Sequence, residues 1–279
     1  MLNRIIAFVI SSILCVFCGI KFGLLSKQGL EIETSLNNLN FILWLISLIC
    51  IGVGALLYKD NDKGTRAFAF FNFLGIGLAY VMAYLMGNYS LGTLVLIISV
   101  LLFVSLSQLK NQGVLRILCF ALVCSLSIVF YGIIELVSFI KQEPEGLHRL
   151  IFSIITDYSI FIFFLSAALF LIFDIREVNQ LHQNGIQTID HLLGFKVSIL
   201  IIGLLLVSIA FGYSYYLYTY LYQNTAGLLV GLFTVLAPLI IGAIKSFSLE
   251  KKDSKLIFSL TQISLIGSAL VLMVFYFIA

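Results

Sequence analysis

The chain has 279 residues, of which 61% are hydrophobic and 10% charged, with a mean hydropathy of +1.13. A soluble domain carries roughly 25% charged residues, so this composition excludes a soluble globular protein. It predicts an all-α polytopic membrane protein, with one transmembrane domain over residues 1–279. The net charge of +3 is too small for the concentrated basic patch that nucleic-acid binding requires.

The cysteines are best interpreted as packing residues. Two of them have CxxC spacing, but no other Cys or His lies near them in the sequence to complete a metal site. All five lie inside apolar segments, at Cys15, Cys18, Cys50, Cys119 and Cys124.

Apolar segments long enough to cross a membrane recur along the whole chain, and they predict nine helices. The first has no cleavage site followed by a polar mature chain, so we expect a retained span and not a signal peptide. The runs lack the alternation of barrel strands. The predicted spans are 4–25, 41–58, 67–87, 91–108, 115–139, 150–173, 194–219, 225–245 and 256–278.

Basic residues set the predicted orientation. With the N-terminus in the cytoplasm, twelve of the 16 Lys and Arg residues fall on the cytoplasmic side and four outside. Nine spans then leave the C-terminus outside. The tyrosines near the predicted outer end of span seven suggest an aromatic belt more than a binding site: Tyr213, Tyr215, Tyr216, Tyr218, Tyr220 and Tyr222.

Two predicted cytoplasmic loops gather acids and bases, at residues 57–66 (LYKDNDKGTR) and 173–185 (FDIREVNQLHQNG). If the sixth span continues as a helix, Asp174 and Glu177 share one face, with His182 near it. Carboxylates on two loops suit Mg²⁺, which bridges to substrate phosphates. The alternative is that these charges only cap helices and obey the positive-inside rule.

The second loop carries the most specific motif. It reads D174-I-R-E177-V-N-Q-L181, then G185-I-Q-T-I189 and L193-G194. This resembles the second Asp-rich motif of the UbiA superfamily of intramembrane prenyltransferases, as do the nine spans and the chain length. Asp174 and Glu177 match the first two acidic positions of that motif, and Gly185 and Thr188 match as well. Leu181 stands where the family has a third acid.

The other family motifs match less well. Leu109-Lys110 resembles an L-K pair that the family has after its fourth helix, with the Lys near the diphosphate. The first Asp-rich motif, NDxxDxxxD, is not restored by aligning either Asn61-Asp62 or Asp60 with it. Asp60 and Asp62 are therefore carried over as candidates only.

The resemblance implies Mg²⁺-dependent transfer of an isoprenyl group from an isoprenyl diphosphate to an aromatic or lipid acceptor, in a bacterial cytoplasmic membrane. Two alternatives stay open: a catalytically impaired relative that binds an isoprenoid lipid or a membrane partner and, third, a small-solute transporter. The implied catalytic and metal ligands are Asp60, Asp62, Asp174 and Glu177. The implied diphosphate-binding residues are Lys110, Arg176, Lys63 and Arg66, with Asn72 and His182 as cavity-lining candidates.

Overall fold

The structure is a computed structural model that describes the backbone of residues 34–58, 62–87, 89–109, 112–139, 145–176, 178, 187–221, 225–248 and 253–278. Every predicted span from 41–58 onward coincides with helix, and the first, 4–25, lies outside the described residues. The elements are α1 (Thr34–Leu57), α2 (Asp62–Met86), α3 (Ser90–Ser107), α4 (Gly113–Phe139), α5 (Glu145–Arg176), α6 (Ile189–Leu193), α7 (Phe195–Leu221), α8 (Thr225–Gly231), a π-helical turn (Leu232–Leu236), α9 (Ala237–Phe247) and α10 (Ser254–Ile278).

Several of these helices are suited to a membrane. Within the described residues, four helical stretches are long and apolar enough to cross one, by length and composition: Asp62–Leu85, Thr156–Arg176, Phe195–Thr219 and Thr225–Phe247. Shorter apolar helices cover Ile42–Leu57, Gly92–Ser107 and Gly113–Ser127. The all-helical class and the membrane-spanning character are therefore supported. The count of nine and the orientation stay predictions.

Many of the described hydroxyl groups inside the apolar helices bond within their own helix. Ser166 donates to the carbonyl of Ile162 at 2.5 Å, and Ser246 donates to that of Gly242 at 2.8 Å. Each bond reaches back four residues along its own helix. This is how a polar side chain is accommodated where no water can solvate it.

Helix α5 is the central helix of the fold. It packs against α4, α6, α7 and α10. In its membrane-length stretch 72% of the residues are buried, against 33–44% in the other three stretches. Its side chains Ile162, Leu165 and Ala168 are fully buried. A polar residue on this helix therefore needs a partner inside the protein.

Two of the tyrosines predicted to form the aromatic belt lie in the core instead. Tyr213 is 1% exposed and its ring centroid lies 4.6 Å from that of Phe161. Tyr216 is also buried, next to Tyr158. The belt interpretation is wrong for these two residues because α7 turns their face towards α5. Only the opposite face of α7, which carries Tyr215 and Tyr218, is exposed.

The predicted eighth span is broken in its middle by a π-helical turn. Pro238 has no N–H to donate to the carbonyl of Thr234, so the regular bonding pattern cannot continue there. The N–H of Ala237 instead reaches the carbonyl of Leu232, and the hydroxyl of Ser264 donates to that of Val235 at 3.2 Å. The interruption is thus bonded to α10 and not left to the lipid.

Gly267 makes this contact between α10 and the π turn possible. A Cβ at Gly267 would lie 2.4 Å from the carbonyl oxygen of Thr234, a backbone atom that cannot swing aside. A Cβ at Gly212 would have no atom within 4 Å.

We therefore expect Gly267→Ala to lower the free energy of unfolding by about 1–3 kcal/mol, because it overpacks the contact. Gly212→Ala, the matched control, should leave it unchanged or raise it slightly, since Ala favours a helix over Gly. Reversible denaturation in mixed detergent micelles measures both. Equal stability of the two variants would contradict the close approach of α10 to the π turn.

Candidate functional site

The candidate site lies where α4 begins and α5 finishes, here called the Arg116 end of the bundle. Arg116 lies one turn into α4, and Asp174 lies in the last turn of α5. Their side chains form an ion pair in which Nη2 of Arg116 donates to Oδ2 of Asp174 at 2.5 Å. Both side chains are more than nine-tenths buried, at 9% and 6% exposure.

Because both side chains are buried, each charge needs the other for stability. Removing a charge from water costs several kcal/mol, which an opposite charge in contact offsets in part. The contact with Arg116 offsets part of the cost of burying the Asp174 carboxylate in helix α5. Removing either side chain leaves the other charge buried and unpaired.

The pair leaves part of each charged group unused. Asp174 accepts at Oδ2, and no described residue donates to its Oδ1. Arg116 has five N–H donors, and among the described residues only Asp174 accepts from them. The pair can therefore bind further groups: a cation at the carboxylate, and an acceptor oxygen at the guanidinium.

Residues 187–189, which lead into α6, pass over the start of α4 at this end. A Cβ at Gly113 would lie 2.8 Å from the carbonyl oxygen of Gln187, so only glycine allows the approach. Thr188 is buried and caps α6, accepting from the N–H of His191 at 3.3 Å. The family-like Thr188 thus has a structural role in holding this segment.

Gly194 makes the sharp turn from α6 into α7. Its φ is +80°, in the region that side chains disfavour. Its N–H bonds the carbonyl of Asp190 at 2.9 Å, which closes α6 and allows α7 to begin at the next residue. The family-like L193-G194 therefore also has a local structural explanation.

Arg176 contacts α10, whereas Asp174, two residues earlier, contacts α4. Its guanidinium carbon lies 4.9 Å from the ring centroid of Phe258 on α10, a cation–π contact. Close by in sequence, Asp253 accepts a hydrogen bond from Ser248 at 2.8 Å and lies 4.0 Å from Nζ of Lys245. The structure thus uses Arg176 to tie α5 to α10.

The first acidic loop also has local roles in the structure. Asp62 lies in the first turn of α2, where a negative charge favours the helix dipole. It is exposed, as are Lys63 and Arg66. Four predicted site residues lie outside the described residues: Asp60, Lys110, Glu177 and His182.

Asn72, predicted to line a cavity, is buried between helices. It donates to the carbonyl of Phe68 at 2.9 Å and accepts from the hydroxyl of Ser99 at 2.6 Å. It therefore joins α2 to α3, and a Cβ at Gly54 of α1 would lie 2.6 Å from its Nδ2. These contacts give Asn72 a packing role.

Sequence reasoning missed Arg116, which was counted only among the positive-inside residues. A usable signal lies in its surroundings, GVLRILCF, since Arg116 is the one charge in an apolar segment and not part of a polar loop. A charge at such a position needs a partner inside the protein.

The donor chemistry of Asp174 fits Mg²⁺ as a single carboxylate ligand. Mg²⁺ is usually held by one or two carboxylates together with phosphate and water oxygens, and Oδ1 is the oxygen that Arg116 leaves unoccupied. Within the part of the chain that the structure describes, no group of three or more His, Cys, Asp or Glu could hold a metal ion. A further carboxylate ligand could come from Asp62, which the structure describes, or from residues outside that part of the chain, such as Glu177 or Asp60.

Comparison with protein-family models, with curated proteins and with solved structures found no match to this chain.

We expect the ion pair to dominate stability at the Arg116 end. Arg116→Gln and Asp174→Asn should each lower the free energy of unfolding by about 3–5 kcal/mol, because each strands a buried charge. The double variant should lose much less than the sum, since it buries two neutral amides. The measurement is a double-mutant cycle by reversible denaturation in mixed micelles.

The pair Lys245–Asp253 is the matched control, since Lys245 is 45% exposed. The same cycle on Lys245→Gln and Asp253→Asn should give about 0–1 kcal/mol. Similar coupling energies for the two pairs would contradict the distinction between a pair in which both side chains are buried and one in which the lysine is exposed.

Proposed function

We propose that this protein is an intramembrane prenyltransferase of the UbiA type, which transfers an isoprenyl group from an isoprenyl diphosphate to an aromatic or lipid acceptor. The observation that carries the proposal is the buried pair Arg116–Asp174. It puts a carboxylate and a guanidinium, each with unused bonding capacity, at the end of the central helix. Asp174 is also the first acid of the family-like motif.

In this proposal the reaction breaks the bond between the first isoprenyl carbon and the diphosphate oxygen, and the electron pair leaves with the diphosphate. The acceptor then attacks the allylic cation and loses its proton to solvent. Asp174 and Glu177, with Asp60 and Asp62, would hold Mg²⁺, whose charge stabilises the departing diphosphate. Lys110, Lys63, Arg66 and Arg176 are the candidate diphosphate-binding residues; Arg176 would have to leave the ring of Phe258 to serve.

A second candidate function is isoprenoid binding without transfer, by a relative that has lost catalysis. Two observations favour it. Arg116 already neutralises Asp174, and Leu181 replaces the third acid of the motif. Fewer carboxylates mean weaker Mg²⁺ binding. The two candidates share a ligand and differ only in whether transfer follows.

We also propose nine spans in a bacterial cytoplasmic membrane, with the N-terminus in the cytoplasm and the C-terminus outside. The excess of basic residues on the predicted cytoplasmic side supports this arrangement. The Arg116 end of the bundle would then face the cytoplasm.

Transfer activity tests the proposed reaction. The purified protein in lipid nanodiscs, given Mg²⁺, a membrane extract and radiolabelled isoprenyl diphosphates of several lengths, should label an acceptor. Glu177→Gln should slow labelling at least 10-fold, because it removes a charged ligand of the cation. Asp253→Asn, a matched acid outside the proposed site, should keep wild-type activity. Binding of the labelled substrate without any transfer would favour the second candidate function.

Reporter fusions test the orientation. Alkaline phosphatase joined after Ala279 should be active, and a fluorescent protein there should be dark, since the proposed C-terminus is outside. The same reporters inserted at Ser248, at the Arg116 end, should behave in the opposite way. An inactive phosphatase at Ala279 would contradict an odd number of spans with a cytoplasmic N-terminus.

A further inference from the structure

Exposed basic residues near the helix ends differ in whether an acid accompanies them. Arg66 has Asp62 one turn earlier in α2, and Lys245 has Asp253 at 4.0 Å. Lys196, the second residue of α7, is exposed, and no described acid lies within ion-pair distance of its ammonium group. The charge of Lys196 is therefore available to a group outside the protein.

The surroundings of Lys196 are apolar and not acidic. Asp190, the acid nearest to it in sequence, has its Oδ1 atom buried. Leu192 and Leu193 follow in α6 and are 55% and 49% exposed. The turn at Gly194 then leads directly to Lys196. An anionic group that approaches the ammonium therefore meets exposed leucines on the same side of the turn.

One face of α7 continues from Lys196 into the membrane as exposed leucines. Leu200 and Leu204 lie one and two turns further on and are 42% and 53% exposed. Residues four apart share a side of a helix and are about 6 Å apart along its axis. Lys196 lies at the end of the membrane-length stretch Phe195–Thr219. A positive charge at the membrane boundary is thus followed by apolar side chains within the membrane.

The start of α10 offers a matched contrast. Lys255 is also exposed and is also the second residue of its helix. One turn beyond it lies Ser259, an exposed residue whose hydroxyl donates to the carbonyl of Lys255 at 3.1 Å. The two lysines carry the same charge, but a leucine follows Lys196 where a serine follows Lys255.

We propose that Lys196 and the exposed leucine face of α7 bind one anionic phospholipid of the surrounding membrane. The lipid phosphate lies at the ammonium of Lys196, and an acyl chain lies along Leu200 and Leu204. The flexible stem of lysine suits this position, because it follows apolar surface while the charged end reaches the headgroup layer. An anionic lipid is favoured over a zwitterionic one, whose own ammonium group offsets the phosphate charge. This inference needs α7 to span the membrane and does not depend on prenyl transfer.

Lipid titration followed by native mass spectrometry tests this site. The wild-type protein, released from detergent micelles, should bind a first phosphatidylglycerol more tightly than phosphatidylcholine. Lys196→Gln should raise the dissociation constant for phosphatidylglycerol about 5-fold, the effect of one basic residue at an anionic surface. The same variant should bind phosphatidylcholine like the wild type. Lys196→Arg keeps the charge and should retain wild-type affinity.

Lys255→Gln is the matched control and should bind phosphatidylglycerol like the wild type. An equal loss of affinity in Lys196→Gln and Lys255→Gln would show diffuse attraction and overturn the site. Equal affinity of the wild type for the two lipids would also overturn it. Because Lys196 is exposed, Lys196→Gln should unfold at the wild-type temperature without added lipid, which separates lost binding from misfolding.

Two other occupants of this face give different results. A dimer whose formation excludes phosphatidylglycerol would show that a second copy of the chain covers the leucines, and the proposal would fail. Soluble glycerol phosphate has the same phosphate chemistry without acyl chains and should not compete with the lipid. Competition at concentrations equal to those of the lipid would mean that the leucine face contributes nothing, and would overturn the proposal as well.

Discussion

A buried ion pair between Arg116 and Asp174 is the interaction on which the Arg116 end depends. The most buried of the four described membrane-length stretches carries a carboxylate, and that carboxylate cannot be left unpaired away from water. The start of α4 must therefore lie against the end of α5. One turn before Arg116, the segment at Gln187 crosses α4 at Gly113, where only a hydrogen atom fits.

The same constraint, that polar groups need partners inside the protein, is met in three other ways along the chain. Most of the serine and threonine hydroxyls that the structure describes bond the carbonyl four residues earlier, as Ser166 does. A few bond across helices, as Asn72 and Ser99 do. At Pro238 the backbone itself loses a bond, and a π turn with the hydroxyl of Ser264 accommodates the loss. Apolar contact supplies the bulk of the bundle, while these few polar contacts decide which faces meet.

The proposed chemistry uses the carboxylate oxygen that the buried pair Arg116–Asp174, the one such pair among the described residues, leaves without a donor. In that proposal, Oδ1 of Asp174, which accepts no hydrogen bond from a described residue, would be available to a cation. The two candidate functions need the same pair and differ in what the neighbouring acids add. Asp62, the other described acid of the predicted metal set, lies exposed at the start of α2. The carboxylates that would decide between transfer and binding are thus Glu177 and Asp60.

The sequence by itself determined the helical class and the positions of the long described helices, because a segment in lipid must satisfy its backbone internally and be apolar for about 20 residues. It did not predict the short helix α6. The motif that begins at residue 174 also singled out Asp174 as a candidate site residue. Only the tertiary structure decided which faces are buried. It joined Arg116 to Asp174 across 58 positions, placed Arg176 on Phe258, and moved Tyr213 from an expected belt into the core. Apolar helices have no polar face to predict their rotation, so helix–helix contact alone sets which side chains meet.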